Sequence, residues 1–284
     1  MPSETKIKIG EITTAIQDRF GHFKFDTADA YRPFLSGDHS DIYIELHSGI
    51  PNLKLGDKIF NSPPIWSLYR DGSTSFIHVF DQYSNLQRLL VLPPEFKRAD
   101  LYFTEPDGQF LDPFYGPTME LFMINYLSQG YGAIIHACGI AYQGKGMLFA
   151  GESGAGKSTL ANLWHQEAGA AVFSDDRTIV REIDGELWMF GTPWHGEAKF
   201  GSPRGVKLDE IYFLHHYKNN TVQASSAAET VMKLLQCSFP SFWDPAGMDF
   251  TMAFFEGLAT RISCNDLWFK PDESAIEIFK RYRN

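Results

Sequence analysis

A chain of 284 residues with 44 % hydrophobic content can form one large domain or two ordinary ones around a real core. Its formal net charge of −10, with no block of Lys or Arg, argues against a nucleic-acid or anionic-membrane partner. The three cysteines, Cys138, Cys237 and Cys264, lack C-x-x-C spacing, which argues against a disulfide framework or a zinc site and fits a reducing, cytoplasmic compartment. The first residues are charged, and no stretch of about 18 uncharged apolar residues occurs, so neither export nor a membrane span is expected.

Residues 1–112 read as short strands. Apolar and polar residues alternate over 6–9, 41–46 and 74–80, and segments 86–92 and 99–103 add two more strands. Asp71-Gly72 between two such runs is a hairpin signal, because a tight turn needs positive φ angles. The expectation is an antiparallel β subdomain that binds, covers or regulates. His22, His39, His47 and His78 are each isolated in it, and a lone His is more often a satisfied surface or core residue than a ligand.

Asp112-Pro113-Phe114-Tyr115-Gly116-Pro117 breaks both periods and marks the boundary to a second region, 113–284. There a helix is expected over 118–129, then strands over 133–142 and 147–150 joined by the tight turn Gln143-Gly144-Lys145-Gly146. These strands feed Gly151-Glu152-Ser153-Gly154-Ala155-Gly156-Lys157-Ser158-Thr159, a full match to G-x-x-x-x-G-K-[ST] with a strand before it and a helical pattern after it. Glycines let successive backbone N–H groups turn inward at a helix N-terminus, which makes an anion nest. This is the pattern of a phosphate-binding P-loop, in which Lys157 would reach the β- and γ-phosphates and the Ser158 hydroxyl would ligate Mg²⁺.

Segment 169–173 is a short apolar strand that ends in Ser174-Asp175-Asp176-Arg177. A strand–loop–helix–strand unit puts the end of its second strand beside the loop after the first, where two acids could hold Mg²⁺ and orient or deprotonate an attacking hydroxyl. An Asp184-Gly185 hairpin then delivers a long polar loop, 191–205, whose candidate substrate residues are His195, Glu197, Lys199 and Arg204. Segment 208–215 reads as a buried strand, and Ser226 with Glu229 as a capping box. Helices are expected over 248–259 and 272–281, with a last strand at 267–270.

The order His136, glycine-rich strand pair, Gly151 to Thr159, helix, then Ser174-Asp175-Asp176 resembles the catalytic domain of HPr kinase/phosphorylase and its relatives. That group shares the phosphoenolpyruvate-carboxykinase-like P-loop fold. The resemblance covers about residues 130–215 well, the C-terminal helices loosely and the N-terminal half not at all. It implies a mixed α/β kinase domain behind the N-terminal β subdomain, with residues 151–159 binding ATP and Lys157 on its phosphates. Of Asp175 and Asp176, one would be the base for the acceptor hydroxyl and the other would help hold the metal, for which Ser158 and Asp176 are the candidate ligands. His136 matches the family's histidine near the transferred phosphate. Thr159 stands where the bifunctional enzymes usually have Glu, and their Glu-x-Arg-Gly-x-Gly segment, which concerns phosphorylase activity and HPr contact, has only Pro203-Arg204-Gly205 as a counterpart. Family members often assemble, so a homo-oligomer is a candidate state. The expected activity is ATP- and Mg²⁺-dependent transfer to a serine or related hydroxyl of a peptide, protein or small molecule. The alternatives are a non-catalytic nucleotide-binding regulatory module, or a carboxykinase-like enzyme, which would want more arginines than can be assigned to a dicarboxylate.

Overall fold

In the computed structural model, which describes residues 3–19, 30–104 and 116–281, the chain divides into two units, Met1–Met123 and Ile124–Asn284. His22 and residues 112–115 of the expected boundary lie outside the described residues. Among the described residues no helix is long and apolar enough to cross a membrane.

The first unit holds one eight-stranded sheet. Its strands are β1 (Ser3–Ile9), β2 (Ile12–Asp18), β3 (Ile42–Ser48), β4 (Asp57–Ser62), β5 (Trp66–Asp71), β6 (Thr74–Phe80), β7 (Leu86–Leu92) and β8 (Arg98–Phe103), in the order β1-β2-β3-β8-β7-β6-β5-β4. The sheet is mixed, which corrects the expectation of an antiparallel subdomain: β3 runs parallel to both β2 and β8. Alternation tells which residues share a face but carries no strand direction. Direction is set here by the long connection 19–41, which has the length a parallel crossover needs, and by the insertion of β8 between β7 and β3. Ile42, Ile44 and Leu46 of β3 and Ala99, Leu101 and Phe103 of β8 are buried on one face. Their neighbours 43, 45, 47, 98, 100 and 102 therefore point to the other face.

The second unit begins within α1 (Thr118–Leu127) and continues with β9 (Ala133–Tyr142), β10 (Lys145–Ala150), α2 (Lys157–His165), β11 (Ala170–Ser174), β12 (Arg177–Ile183), β13 (Glu186–Phe190), β14 (Gly205–His216), β15 (Thr221–Ala224), α3 (Ala227–Gln236), α4 (Pro245–Arg261), β16 (Ser263–Phe269) and α5 (Ser274–Arg281). Its sheet is also mixed, in the order β10-β9-β12-β13-β14-β16-β15. β14 pairs in parallel with both β10 and β16, so the ends Ala150, His216 and Phe269 come out at one edge. That carboxyl edge is where ligands bind in such sheets.

Odd and even positions of the central strands serve two cores. Leu148, Ala150, Ile211 and Phe213 pack with Leu234 of α3 and Phe255 and Leu258 of α4. Met147, Phe149, Tyr212 and Leu214 pack with Leu160 and Trp164 of α2 and Phe279 of α5. Covering both faces explains why β10 reads as an unbroken apolar run instead of alternating. The capping box at Ser226 and Glu229 starts α3 as expected.

β11 does not neighbour β10. The antiparallel strand β9 lies between them, pairing with β10 on one side and with β11 and β12 in succession on the other. The path of β11 into β12 breaks between Ser174 and Arg177, so Asp175 and Asp176 occupy the break itself. Ser174 Oγ staples it, donating to Arg177 O at 2.7 Å and accepting from the N–H groups of Asp176 and Arg177 at 3.3 and 3.2 Å.

Candidate active site

The glycine loop leaves β10 at Ala150, and Gly154 and Gly156 take φ of +81° and +94°, turning the chain into α2. Gly156 is the N-cap of α2 and, having no side chain, leaves the first-turn N–H groups without a side-chain cap. Orphan donors at a helix start are what an anion needs. A Cβ on Gly156 would lie 2.7 Å from Phe269 Cζ and 3.2 Å from His216 Cε1, in a left-handed conformation. Gly156→Ala is therefore expected to cost about 2–3 kcal/mol. A melting temperature within about 1 °C of wild type would contradict that packing.

Lys157 is 5 % exposed, and its Nζ donates to the carbonyl oxygens of Gly151 at 2.9 Å and Glu152 at 2.8 Å. Burial lowers its pKa, against the opposing pull of the Asp176 charge. The loop is pinned to β9 where Gly151 N–H donates to His136 O at 3.2 Å.

The two acids of the break have different partners. Asp175 is fully buried and accepts four hydrogen bonds, from Ser158 Oγ at 3.2 Å and from the backbone N–H groups of Gly196, Ala198 and Phe200 at 3.0, 2.9 and 3.2 Å. It ties the start of α2 to the long loop. Asp176 pairs with His136, Nε2 to Oδ1 at 2.7 Å, and with the guanidinium of Arg177, which stacks over Phe239 at 4.2 Å. Burial opposes ionisation of Asp176, but the His136 hydrogen bond and the charges of Arg177, His136 and Lys157 outweigh it and hold its pKa below the ordinary value.

A cleft of about 460 Å³ opens here. It is lined by Ser153, Gly154, Gly156, Lys157, Ser158 and Thr159 together with His136, Asp176, Gly196 and Glu197. Glu197 is exposed, and its backbone is held between the two N–H groups that Asp175 binds at 196 and 198. His195, whose Nδ1 lies 3.1 Å from Gly196 O, and the exposed Lys199 and Arg204 are not among the residues that line it. Gly151, Glu152 and Ala155 instead border a second cleft of about 440 Å³, together with His215, Lys233 and Cys237.

Sequence reasoning missed Arg177, His216 and Pro271. Arg177 directly follows the acids, a proximity that could have flagged it. His216 lines both clefts and its Nε2 lies 2.8 Å from Gly154 O, but it reaches the loop only because β14 ends beside β10. No local pattern announces that.

Fold and site together define a mixed α/β protein with a glycine-loop cleft at the carboxyl edge of its second sheet. Neither a protein-family model nor a curated protein sequence matches the chain. Among solved structures, it is similar to the Hpr(Ser) kinase/phosphatase from Coxiella burnetii at 14 % identity and a TM-score of 0.29, over 53 % of this chain and 94 % of that one.

Proposed function

We propose that the second unit is an ATP- and Mg²⁺-dependent phosphotransferase of phosphoenolpyruvate-carboxykinase-like P-loop fold, acting on a serine or related hydroxyl of a peptide, protein or small molecule. The observation that carries this reading is the single cleft shared by Lys157, Ser158 and the His136–Asp176 pair.

The donor set fits nucleotide and metal. The start of α2 offers uncapped N–H groups and a buried ammonium to phosphate oxygens. Ser158 gives its proton to Asp175, which leaves its oxygen lone pairs for a hard cation. Bound there, Mg²⁺ and ATP would supply the phosphoryl group and part of the charge neutralisation. Asp175, rather than Asp176, is the acid beside Ser158, and Asp176 is the acid beside His136. That supports giving the metal to Ser158 backed by Asp175, and the proton of the acceptor hydroxyl to Asp176. A carboxylate with a low pKa can do this, because the hydroxyl proton can leave late as the phosphoryl group arrives. His136 and Arg177 hold that carboxylate in place, and the acceptor oxygen enters beside Glu197.

The test is label transfer from γ-labelled ATP with Mg²⁺ to free serine, an HPr-like protein and Ser-terminated peptides. Label is expected in one acceptor class and is expected to vanish in Asp176→Ala. Nucleotide bound without transfer to any of them would favour the second reading, a regulatory nucleotide-binding module. The link from Ser158 through Asp175 to the backbone of 196–200 supports that alternative, since it couples the loop to whatever Ser158 holds.

A further inference from the structure

We infer that the first unit carries a second, independent site: Glu45, His47 and Asp100 form a three-donor site for a first-row divalent cation, with Zn²⁺ the best match. A carboxylate oxygen of Glu45, a ring nitrogen of His47 and a carboxylate oxygen of Asp100 all lie within 4.8 Å of one another.

Strand register brings these donors together. β3 and β8 run parallel with Glu45 opposite Asp100 and His47 opposite Tyr102. The faces of Ile44, Leu46, Ala99 and Leu101 are buried, so these four side chains share the outer face. The pair one step earlier, Tyr43 and Arg98, is a favourable one, with the guanidinium 5.4 Å from the ring centroid. Glu45 and Asp100 are instead like charges directly opposite each other, which costs stability unless positive charge sits between them.

The neighbours supply a ligand, not just a counter-charge. His47 stacks on Tyr102 at 4.5 Å with ring planes 19° apart, which fixes the imidazole, and its Nε2 lies 2.7 Å from Asp100 Oδ1. Arg19 Nη2 reaches Glu45 Oε2 at 2.8 Å, but its side chain is 58 % exposed, an exchangeable partner. In a tetrahedral zinc site, bonds of about 2.0–2.1 Å put ligand atoms about 3.3 Å apart. His47 Nε2 and Asp100 Oδ1, 2.7 Å apart, must therefore part by about 0.6 Å, while the widest pair closes by at most about 1.5 Å, a rotamer adjustment on two strands inside the sheet. One imidazole and two carboxylates select Zn²⁺ and its transition-metal neighbours over Mg²⁺ or Ca²⁺, and three protein ligands leave a position open to water. The cysteine spacing that speaks against a thiolate site does not bear on this donor set.

The full chain, freed of metal with a chelator, would be titrated with Zn²⁺ by calorimetry and with Co²⁺ by visible absorption. Wild type is expected to bind one equivalent that Glu45→Gln/His47→Gln/Asp100→Asn lacks, the affinity falling at least about 100-fold. Arg19→Ala is expected to tighten binding several-fold, because the competing cation is gone. Should the triple variant fail to fold, His47→Gln alone keeps a donor for Asp100 and takes its place. An equivalent retained by these variants, or wild type binding no Zn²⁺ below about 100 μM, would overturn the inference, since a built three-ligand site binds well below that. Phosphoryl transfer plays no part in these readouts, so the outcome stands apart from the fate of the kinase reading.

Discussion

Lys157→Met is expected to lower phosphoryl transfer about 1,000-fold while leaving the chain folded. An ammonium about 4 Å from a phosphate charge, at an effective dielectric of about 20, contributes on the order of 4 kcal/mol. That is about three decades in rate if the contact tightens as charge develops in the transition state. The stability cost is much smaller. The variant strips the donor from the carbonyls of Gly151 and Glu152, about 1 kcal/mol each, but it also relieves the burial of a charge that is only 5 % exposed and whose pKa burial already lowers. Initial rates with labelled ATP, together with a thermal melt, separate the two effects. A variant within tenfold of the wild-type rate would show that the glycine loop is not where the phosphoryl group is held.

Much of this site is local in sequence and was readable there. The glycine loop, the Asp184-Gly185 turn and the capping box at Ser226 depend on residues a few positions apart, and the structure has each where its pattern falls. Asp184 and Gly185 take φ of +52° and +78°, as a tight hairpin requires. What was not readable depends on register between distant strands. His136 meets Asp176 because β9 pairs with β12 so that His136 faces Arg177, and His47 meets Asp100 because β3 lies parallel to β8. Alternation over 41–46 assigned the faces of β3 but not its direction, and the N-terminal sheet was expected to be antiparallel. The binding of Asp175 to the loop was hidden for another reason. Its partners at 196, 198 and 200 are backbone N–H groups, which every non-proline residue carries and no side-chain pattern reveals.

The two adjacent acids are expected to fail in opposite ways when each is changed to Asn. In Asp175→Asn one of two fully buried oxygens becomes an NH₂ group facing backbone donors, since both oxygens accept N–H groups from the loop. Leaving buried donors unpaired costs about 1–3 kcal/mol each, so about 3–5 kcal/mol in all. In a unit of this size, that lowers the melting temperature on the order of 10 °C. With NH₂ in place of Oδ2, Ser158 loses its acceptor and Ala198 its anchor, and in place of Oδ1, Gly196 and Phe200 lose theirs, so metal-dependent nucleotide binding weakens together with stability. Asp176→Asn removes a carboxylate whose partners are side chains, His136 of the cleft and the adjacent Arg177, both partly exposed to water. Its expected stability cost is only about 1–2 kcal/mol, with kcat lowered about 100- to 10,000-fold and nucleotide affinity unchanged, as for loss of a general base. Melting temperatures, nucleotide titrations and kcat measured on both variants therefore form a crossed pattern. If Asp175→Asn were the variant that melted normally and lost only kcat, the roles would be exchanged: Asp175 would be the base, and the four donors around it would serve to tune a reacting carboxylate instead of anchoring a loop.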